Sequence, residues 1–270
     1  MSNKTYSQTV RSMQDYLSPL VRAIPPSGIR RFFDLVSASK DIISLGVGEP
    51  DFVTPWHVRE ASVYALEQGR TTYTHNAGLP ELREEIAAYL HNRFQLNYNP
   101  ADEMIVTVGG SEAIDLALRA LISPGDEVLI PEPTYIPYSP IASICGAKAV
   151  GIETFARDRF KLTAEGLREK LTPRSKILIL CYPSNPTGAI MSYEDYLPIA
   201  RLVEEHDLIV ISDEIYAELT YGANHVSFAS LPGMKDRTIV VSGFSKAFAM
   251  TGWRMGYACG HRDIIAAMLK

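Results

Sequence analysis

The chain has 270 residues, of which 46% are hydrophobic and 21% charged, with a formal net charge of −5 at pH 7. This is enough chain for one large domain or two smaller ones with an ample core, and the composition is that of an ordinary soluble globular enzyme. The acidic balance argues against a general nucleic-acid binder, and neither a membrane-length apolar run nor a signal-peptide core in Met-Ser-Asn-Lys-Thr-Tyr-Ser-Gln is present.

Taken in chain order, helical patterns are predicted at 27–39, 56–68 and 80–93, the first opening at Ser27 and the third at Pro80, both favourable at helix starts. Apolar strand candidates then recur near 104–108, 127–131, 148–153, 177–181, 208–212 and 238–242, with helical patterns at 112–122, 163–171 and 193–206 between them. Alternation of this kind predicts an α/β fold, a mostly parallel sheet with helices on both faces in three α/β/α layers. The segment 253–259 is expected to return as an antiparallel strand, and the residues up to Lys270 read as a new helix. Cys145, Cys181 and Cys259 are few and widely spaced, which suits a reducing, cytoplasmic setting. The histidines have no metal-ligand spacing, and no metal is expected.

Chemistry is concentrated where strands run into loops. At 104–118 a strand meets Gly109-Gly110 and then a helix expected to open at Ser111, an arrangement that aims free backbone N–H groups at an anion. Ser111 is also a plausible N-cap, and the glycine spacing of a dinucleotide fingerprint is missing. At 176–188 an apolar run ends in Tyr-Pro-Ser-Asn-Pro-Thr-Gly, ordinary turn chemistry by itself. At 208–216 the run Leu-Ile-Val-Ile-Ser ends in Asp213, a carboxylate at the ligand-binding end of a buried strand, with Tyr216 following. The alternative for Asp213 is a cap on whatever follows the strand.

The most specific run is Ser245-Lys-Ala-Phe-Ala-Met-Thr-Gly-Trp-Arg-Met-Gly-Tyr257. A lysine leaving a buried strand into a small-residue turn is open to desolvation, which favours the neutral amine that condenses with an aldehyde. Arg254 offers a fixed, always-charged fork for a phosphate. An aldehyde-bearing phosphate held by lysine and arginine points to pyridoxal 5′-phosphate.

On these residues the chain resembles the class I/II pyridoxal-phosphate-dependent aminotransferases of fold type I. The resemblance implies a homodimeric enzyme moving an amino group between an L-amino acid and a 2-oxo acid through a Schiff base on Lys246. It implies that Asp213 pairs with the cofactor's ring nitrogen, that Tyr216 and Asn185 meet its phenolic oxygen, and that the Asn185–Pro186 bond is cis. Gly110, Ser111, Glu112, Ser245 and Arg254 are the further cofactor positions, with Tyr135 against the ring face. The loop 71–78 resembles the segment whose tyrosine, here Tyr73, reaches the neighbouring subunit's phosphate. Within 42–52, Gly48 corresponds to a backbone N–H donor for the substrate carboxylate, with Asn185 as a second substrate contact.

The same resemblance divides the chain into an N-terminal arm with part of a small domain (1–50) and a large cofactor-binding domain (51–270). It also implies a further C-terminal segment completing the small domain and carrying the arginine for the substrate α-carboxylate, a role that no residue here takes. Gly243 stands where many relatives in the family carry a phosphate-binding serine; Ser242 and Ser245 are the candidates to compensate. Another reaction on the same fold, such as a carbon–sulfur β-lyase or a cyclopropane-forming synthase, stays open, as does a catalytically incompetent fragment.

Overall fold

The computed structural model describes residues 12–26 and 48–270. The chain divides into two units, Met1–Val47 and Gly48–Lys270. In the first, Ser12 and Asp15 form a reciprocal capping box on the single turn Met13–Tyr16, and a short helix follows at Pro19–Arg22. The helix predicted at 27–39 and residues 42–47 of the segment before Phe52 lie outside the described residues.

The second unit is built on one seven-stranded sheet in the order β1-β7-β6-β5-β4-β2-β3. The strands are β1 (Met104–Thr107), β2 (Glu127–Glu132), β3 (Lys148–Glu153), β4 (Ser175–Cys181), β5 (Ile209–Asp213), β6 (Thr238–Gly243) and β7 (Gly256–Cys259). The pairs β2–β3, β2–β4, β4–β5 and β5–β6 are parallel, and β7 alone runs antiparallel, between β1 and β6. The central strands are continuous apolar runs because both of their faces are covered.

The helices are α1 (Trp56–Glu67), α2 (Pro80–Phe94), α3 (Gly109–Leu121), α4 (Tyr138–Ile144), α5 (Ala164–Lys170), α6 (Tyr193–Glu205) and α7 (Arg262–Leu269). One face of the sheet, through Ile179, Ile211, Ile239 and Val241, packs against Ala113, Ile114, Ala117 and Leu118 of α3, Ala142 of α4 and Ile265 of α7. The opposite face packs Leu178, Leu180 and Val210 against Leu167 of α5 and Ile199 and Val203 of α6, with Ile86 and Leu90 of α2 over Val240 and Tyr257. Three layers result, as the alternation of patterns predicts.

The structure differs from the sequence reading in two places that matter. Helix α3 opens at Gly109 and not at Ser111; Val108 is the N-cap residue, and its N–H is held by the Glu112 carboxylate. Ser111 therefore sits inside the first turn, free of capping. Helix α4 is additional, in a stretch where no helical pattern is predicted.

Every parallel strand delivers its C-terminal residue to one edge of the sheet. Cys181 lies beside Asp213, and Asp213 beside Val241. That edge also receives the start of α3, the chain leaving β6 toward Lys246, and the chain entering β7 from Arg254.

Candidate active site

Asp213 ends β5 with 6% of its surface exposed. Its Oδ2 accepts the phenolic hydrogen of Tyr138 at 2.6 Å, and its Oδ1 accepts the N–H of Ile215 at 3.2 Å. Burial raises its pKa to about 6, against the lowering effect of those two donors. Turn, not helix, follows Asp213. The residue thus makes a local turn contact but caps no helix. Tyr138 was not singled out from sequence; its only signal is its place three residues after Tyr135, whose ring meets it edge-on at 5.4 Å.

Tyr216 stands on the turn after Asp213, with burial raising its pKa to about 12 and a hydrogen bond with Asn185 acting the other way. Asn185 follows β4, and the Asn185–Pro186 bond is cis, as are Glu132–Pro133 and Tyr182–Pro183. The Lys246 Nζ lies 5.7 Å from the centre of the Tyr216 ring and donates to the Gly48 carbonyl at 2.6 Å. Gly48 thus presents its C=O to Lys246, where the resemblance implied a role for its N–H. Desolvation lowers the proton affinity of Lys246; nearby Glu49 opposes that effect and Arg254 reinforces it.

Segment 48–54 is fastened to the lysine loop by residues the sequence did not mark. Thr54 Oγ1 donates to the Ala249 carbonyl at 2.6 Å and accepts from Trp253 Nε1 at 3.0 Å, while Thr251 Oγ1 donates to Glu49 at 3.1 Å.

Arg254 closes the group from the other side. Its Nη1 donates to the Thr251 carbonyl at 3.0 Å, and Nη2 lies so close to Gly109 that a Cβ there would fall 2.8 Å from it. Gly256 is in turn packed on the Gly109–Gly110 peptide, where a Cβ would stand 2.6 Å from the Gly110 nitrogen. These two glycine contacts bring a guanidinium and the free N–H groups of the first turn of α3 into one cradle, a donor set that suits a phosphate. Ser111 and Glu112 lie in that turn, although the Glu112 carboxylate is engaged with the Val108 N–H.

The Gly243 departure has a steric reason. A Cβ at 243 would meet the Met255 carbonyl oxygen at 2.7 Å and the Gly256 Cα at 2.8 Å, so β7 leaves no space for a serine. Ser242 points to the other face of the sheet, donating to the Glu214 carbonyl at 3.4 Å and lining a separate cavity of about 170 Å³ with Tyr89 and Phe244. Ser245, buried at the start of the lysine loop, remains as the candidate. Tyr73 is fully exposed and touches none of this group.

Asp213, Tyr216, Asn185, Lys246, Gly109–Ser111 and Arg254 thus share one sheet edge. Their chemistry fits pyridoxal 5′-phosphate: a desolvated amine, an anion cradle, and a buried carboxylate able to face a ring nitrogen.

Residues 40–270 match the family model described as aminotransferase class I and II. The chain is 55% identical over 258 residues to YugH of Bacillus subtilis (strain 168), which covers 96% of this chain and 67% of that protein. It is 44% identical over 255 residues to the aspartate aminotransferase of Pyrococcus abyssi, covering 94% of this chain and 66% of the relative. Among solved structures, the aspartate aminotransferase from Thermus thermophilus with maleate superposes with a TM-score of 0.89 at 41% identity, covering 94% of this chain and 66% of that one. The chain thus spans about two thirds of the length of these relatives.

Proposed function

We propose, from the premise that this chain belongs to the aminotransferase class I and II family, that the protein transfers an amino group between an L-amino acid and a 2-oxo acid. The observation that carries the reading is the half-buried Lys246 amine, lowered in proton affinity, on the same sheet edge as the buried Asp213. Pyridoxal 5′-phosphate, when bound, supplies the electron sink that makes an amino acid's α-proton removable.

The chain's own residues then divide the work. Arg254 and the first-turn N–H groups of α3, with Gly110, Ser111 and Glu112 contributing through the backbone, bind the phosphate and fix one end of the cofactor. Ser245 adds a hydroxyl beside them. Asp213 keeps a negative charge facing the ring nitrogen, and Tyr138 holds that carboxylate in orientation. Tyr135 covers one ring face; Asn185 and Tyr216 orient the ring oxygen. Lys246, whose amine desolvation lowers in proton affinity, would hold the cofactor's carbonyl end and, when free, would take a proton and return it at Nζ. Asn185 and Gly48 border the space left for substrate.

We also place the protein in the cytoplasm as a homodimer. Cys145, Cys181 and Cys259 are unpaired, and no helix among the described residues is long and apolar enough to cross a membrane. Helix α1 buries none of its residues, and Trp56, Val63, Tyr64 and Leu66 on it are exposed together with nearby Phe52 and Val53. An apolar surface of that kind suits a second copy, and the fully exposed Tyr73 is then available to the partner's phosphate cradle.

Borohydride reduction of the protein loaded with pyridoxal 5′-phosphate tests the reading. A fixed adduct on Lys246, absent from Lys246→Ala, is expected, together with conversion of an added 2-oxo acid to its amino acid. An adduct on another lysine overturns the site, and turnover without amino-acid formation from the 2-oxo acid favours a lyase.

A further inference from the structure

Asp213 faces Tyr138 of α4, but the next residue, Glu214, turns to the opposite face of the sheet. There its carboxylate is 2% exposed and ringed by donors. Oε1 accepts from Ser212 Oγ and from Ser227 Oγ, each at 2.8 Å, and Oε2 meets His225 Nε2 at 2.8 Å. The His225 ring is fixed in turn by Phe94 of α2, edge-on at 5.4 Å.

The main chain of Glu214 is equally committed. Its N–H donates to the Val241 carbonyl at 2.8 Å, extending the β5–β6 ladder one residue beyond β5. Its carbonyl accepts from the Ala217 N–H at 2.9 Å, closing the turn that carries Tyr216, and from Ser242 Oγ at 3.4 Å. One residue therefore joins the end of β5, the end of β6, the Tyr216 turn and the returning segment 225–227. The far side of the turn is secured separately, by Glu218 accepting from Tyr89 and Arg93 of α2.

Stability alone does not call for this arrangement, since a buried ionised group with its donors is often replaceable by apolar residues of equal volume. A fully satisfied polar cluster, by contrast, admits one geometry. We propose that Glu214 and His225 form a positioning pair, holding the turn that bears Asp213 and Tyr216 in register with the end of β6 that leads to Lys246. The inference rests on the amino-transfer reading for what that register serves, but the register itself exists without cofactor.

The test compares Glu214→Ala, His225→Phe and Glu214→Gln in the intact protein by two measurements. The first is amide hydrogen exchange of residues 213–219 without cofactor. The second is the dissociation constant for pyridoxal 5′-phosphate and the pH midpoint of its visible absorbance when bound. The other titratable groups on this face, Tyr89 and Arg93 from α2, Tyr98 after it, Glu218 from the turn, Tyr196 from α6, and Tyr257 and Cys259 from β7, are the same in all variants.

Glu214→Ala and His225→Phe are expected to speed exchange in 213–219 about tenfold, with little change in the remaining strands, to weaken cofactor binding about tenfold, and to move the absorbance midpoint. Glu214→Gln keeps an acceptor for both serines and is expected to restore the exchange pattern. Wild-type exchange in folded Glu214→Ala, or loosening spread evenly over the sheet, overturns the proposal. Should Glu214→Ala fail to fold, Ser227→Ala removes a single donor and carries the same comparison. A wild-type protein that binds no pyridoxal 5′-phosphate sinks the amino-transfer reading, and the exchange pattern then decides the positioning pair by itself.

Discussion

The phenol of Tyr138 donates to Asp213 Oδ2 at 2.6 Å, with both side chains buried between the sheet and α4. Burial first, then the neighbouring charge of Asp213, raises the Tyr138 pKa well above that of an ordinary tyrosine, so it remains a donor at every pH the protein will meet. The pair presents one carboxylate to the site in one orientation.

Tyr138→Phe removes that donor and leaves the buried carboxylate under-satisfied. A loss of about 1.5–3 kcal/mol in stability is expected at pH 8, the range for hydrogen bonds to charged groups. The loss should shrink at pH 5, where Asp213 is largely protonated. Denaturant unfolding at the two pH values checks this, and a pH-independent loss would assign Tyr138 to packing alone.

Asp213 itself links stability to pH. Its folded pKa, raised to about 6 from 3.8, means that the native state binds more protons than the unfolded state in between. Stability of the cofactor-free protein should therefore fall as pH rises from about 4 to about 6 and level off above, by up to about 3 kcal/mol from this group. Asp213→Asn removes the dependence, so the stability difference between variant and wild type should grow over that window. A constant difference across it counts against a raised pKa.

Gly109→Ala is expected to damage the phosphate cradle. Gly109 has φ +76°, and the added methyl would fall 2.8 Å from Arg254 Nη2, so the backbone is strained and the arginine must move. Gly125, with φ +94° and nothing within 4 Å, supplies the control, where only the backbone is strained. Both variants should lose about 1 kcal/mol of stability, but only Gly109→Ala should weaken pyridoxal 5′-phosphate binding, by about tenfold or more. Equal binding by the two would remove Arg254 from the cradle.

The exposed face of α1 offers a fourth test. Trp56→Glu combined with Leu66→Glu should shift the intact protein toward monomer in sedimentation velocity, because two carboxylates would have to be desolvated in an apolar contact. Mixing Tyr73→Phe with Lys246→Ala subunits should restore part of the lost activity, since shared sites leave one unmutated site per mixed dimer. No recovery on mixing would mean self-contained sites.

How far the site was legible follows from where each residue stands. Asp213 and Lys246 are announced by apolar runs that must be buried strands, so the residues that end them arrive at a common edge. Tyr138 lies in a stretch where no helical pattern is predicted. In the structure Pro137 is the N-cap residue of α4, and Pro140 lies in its first turn, where a missing N–H costs nothing. Ser111 misled as a cap because Val108 and Glu112 do that work instead. Glu214 and His225 meet through tertiary folding, which no helix or strand period records. The packing of Gly256 on Gly109–Gly110 joins segments far apart in sequence, and spacing carries no trace of it.

The antiparallel return of β7 has a last consequence. Because Gly243 pairs with Gly256, Lys246 and Arg254 belong to one excursion of chain that is closed at its mouth by the sheet itself. The spacing between the Lys246 amine and the Arg254 guanidinium is therefore set within a single loop. On the roles proposed for Lys246 and Arg254, such a loop would gauge a ligand by the separation of its two ends. An insertion or deletion between residues 244 and 255 would retune both ends together, whatever substrate the rest of the protein selects.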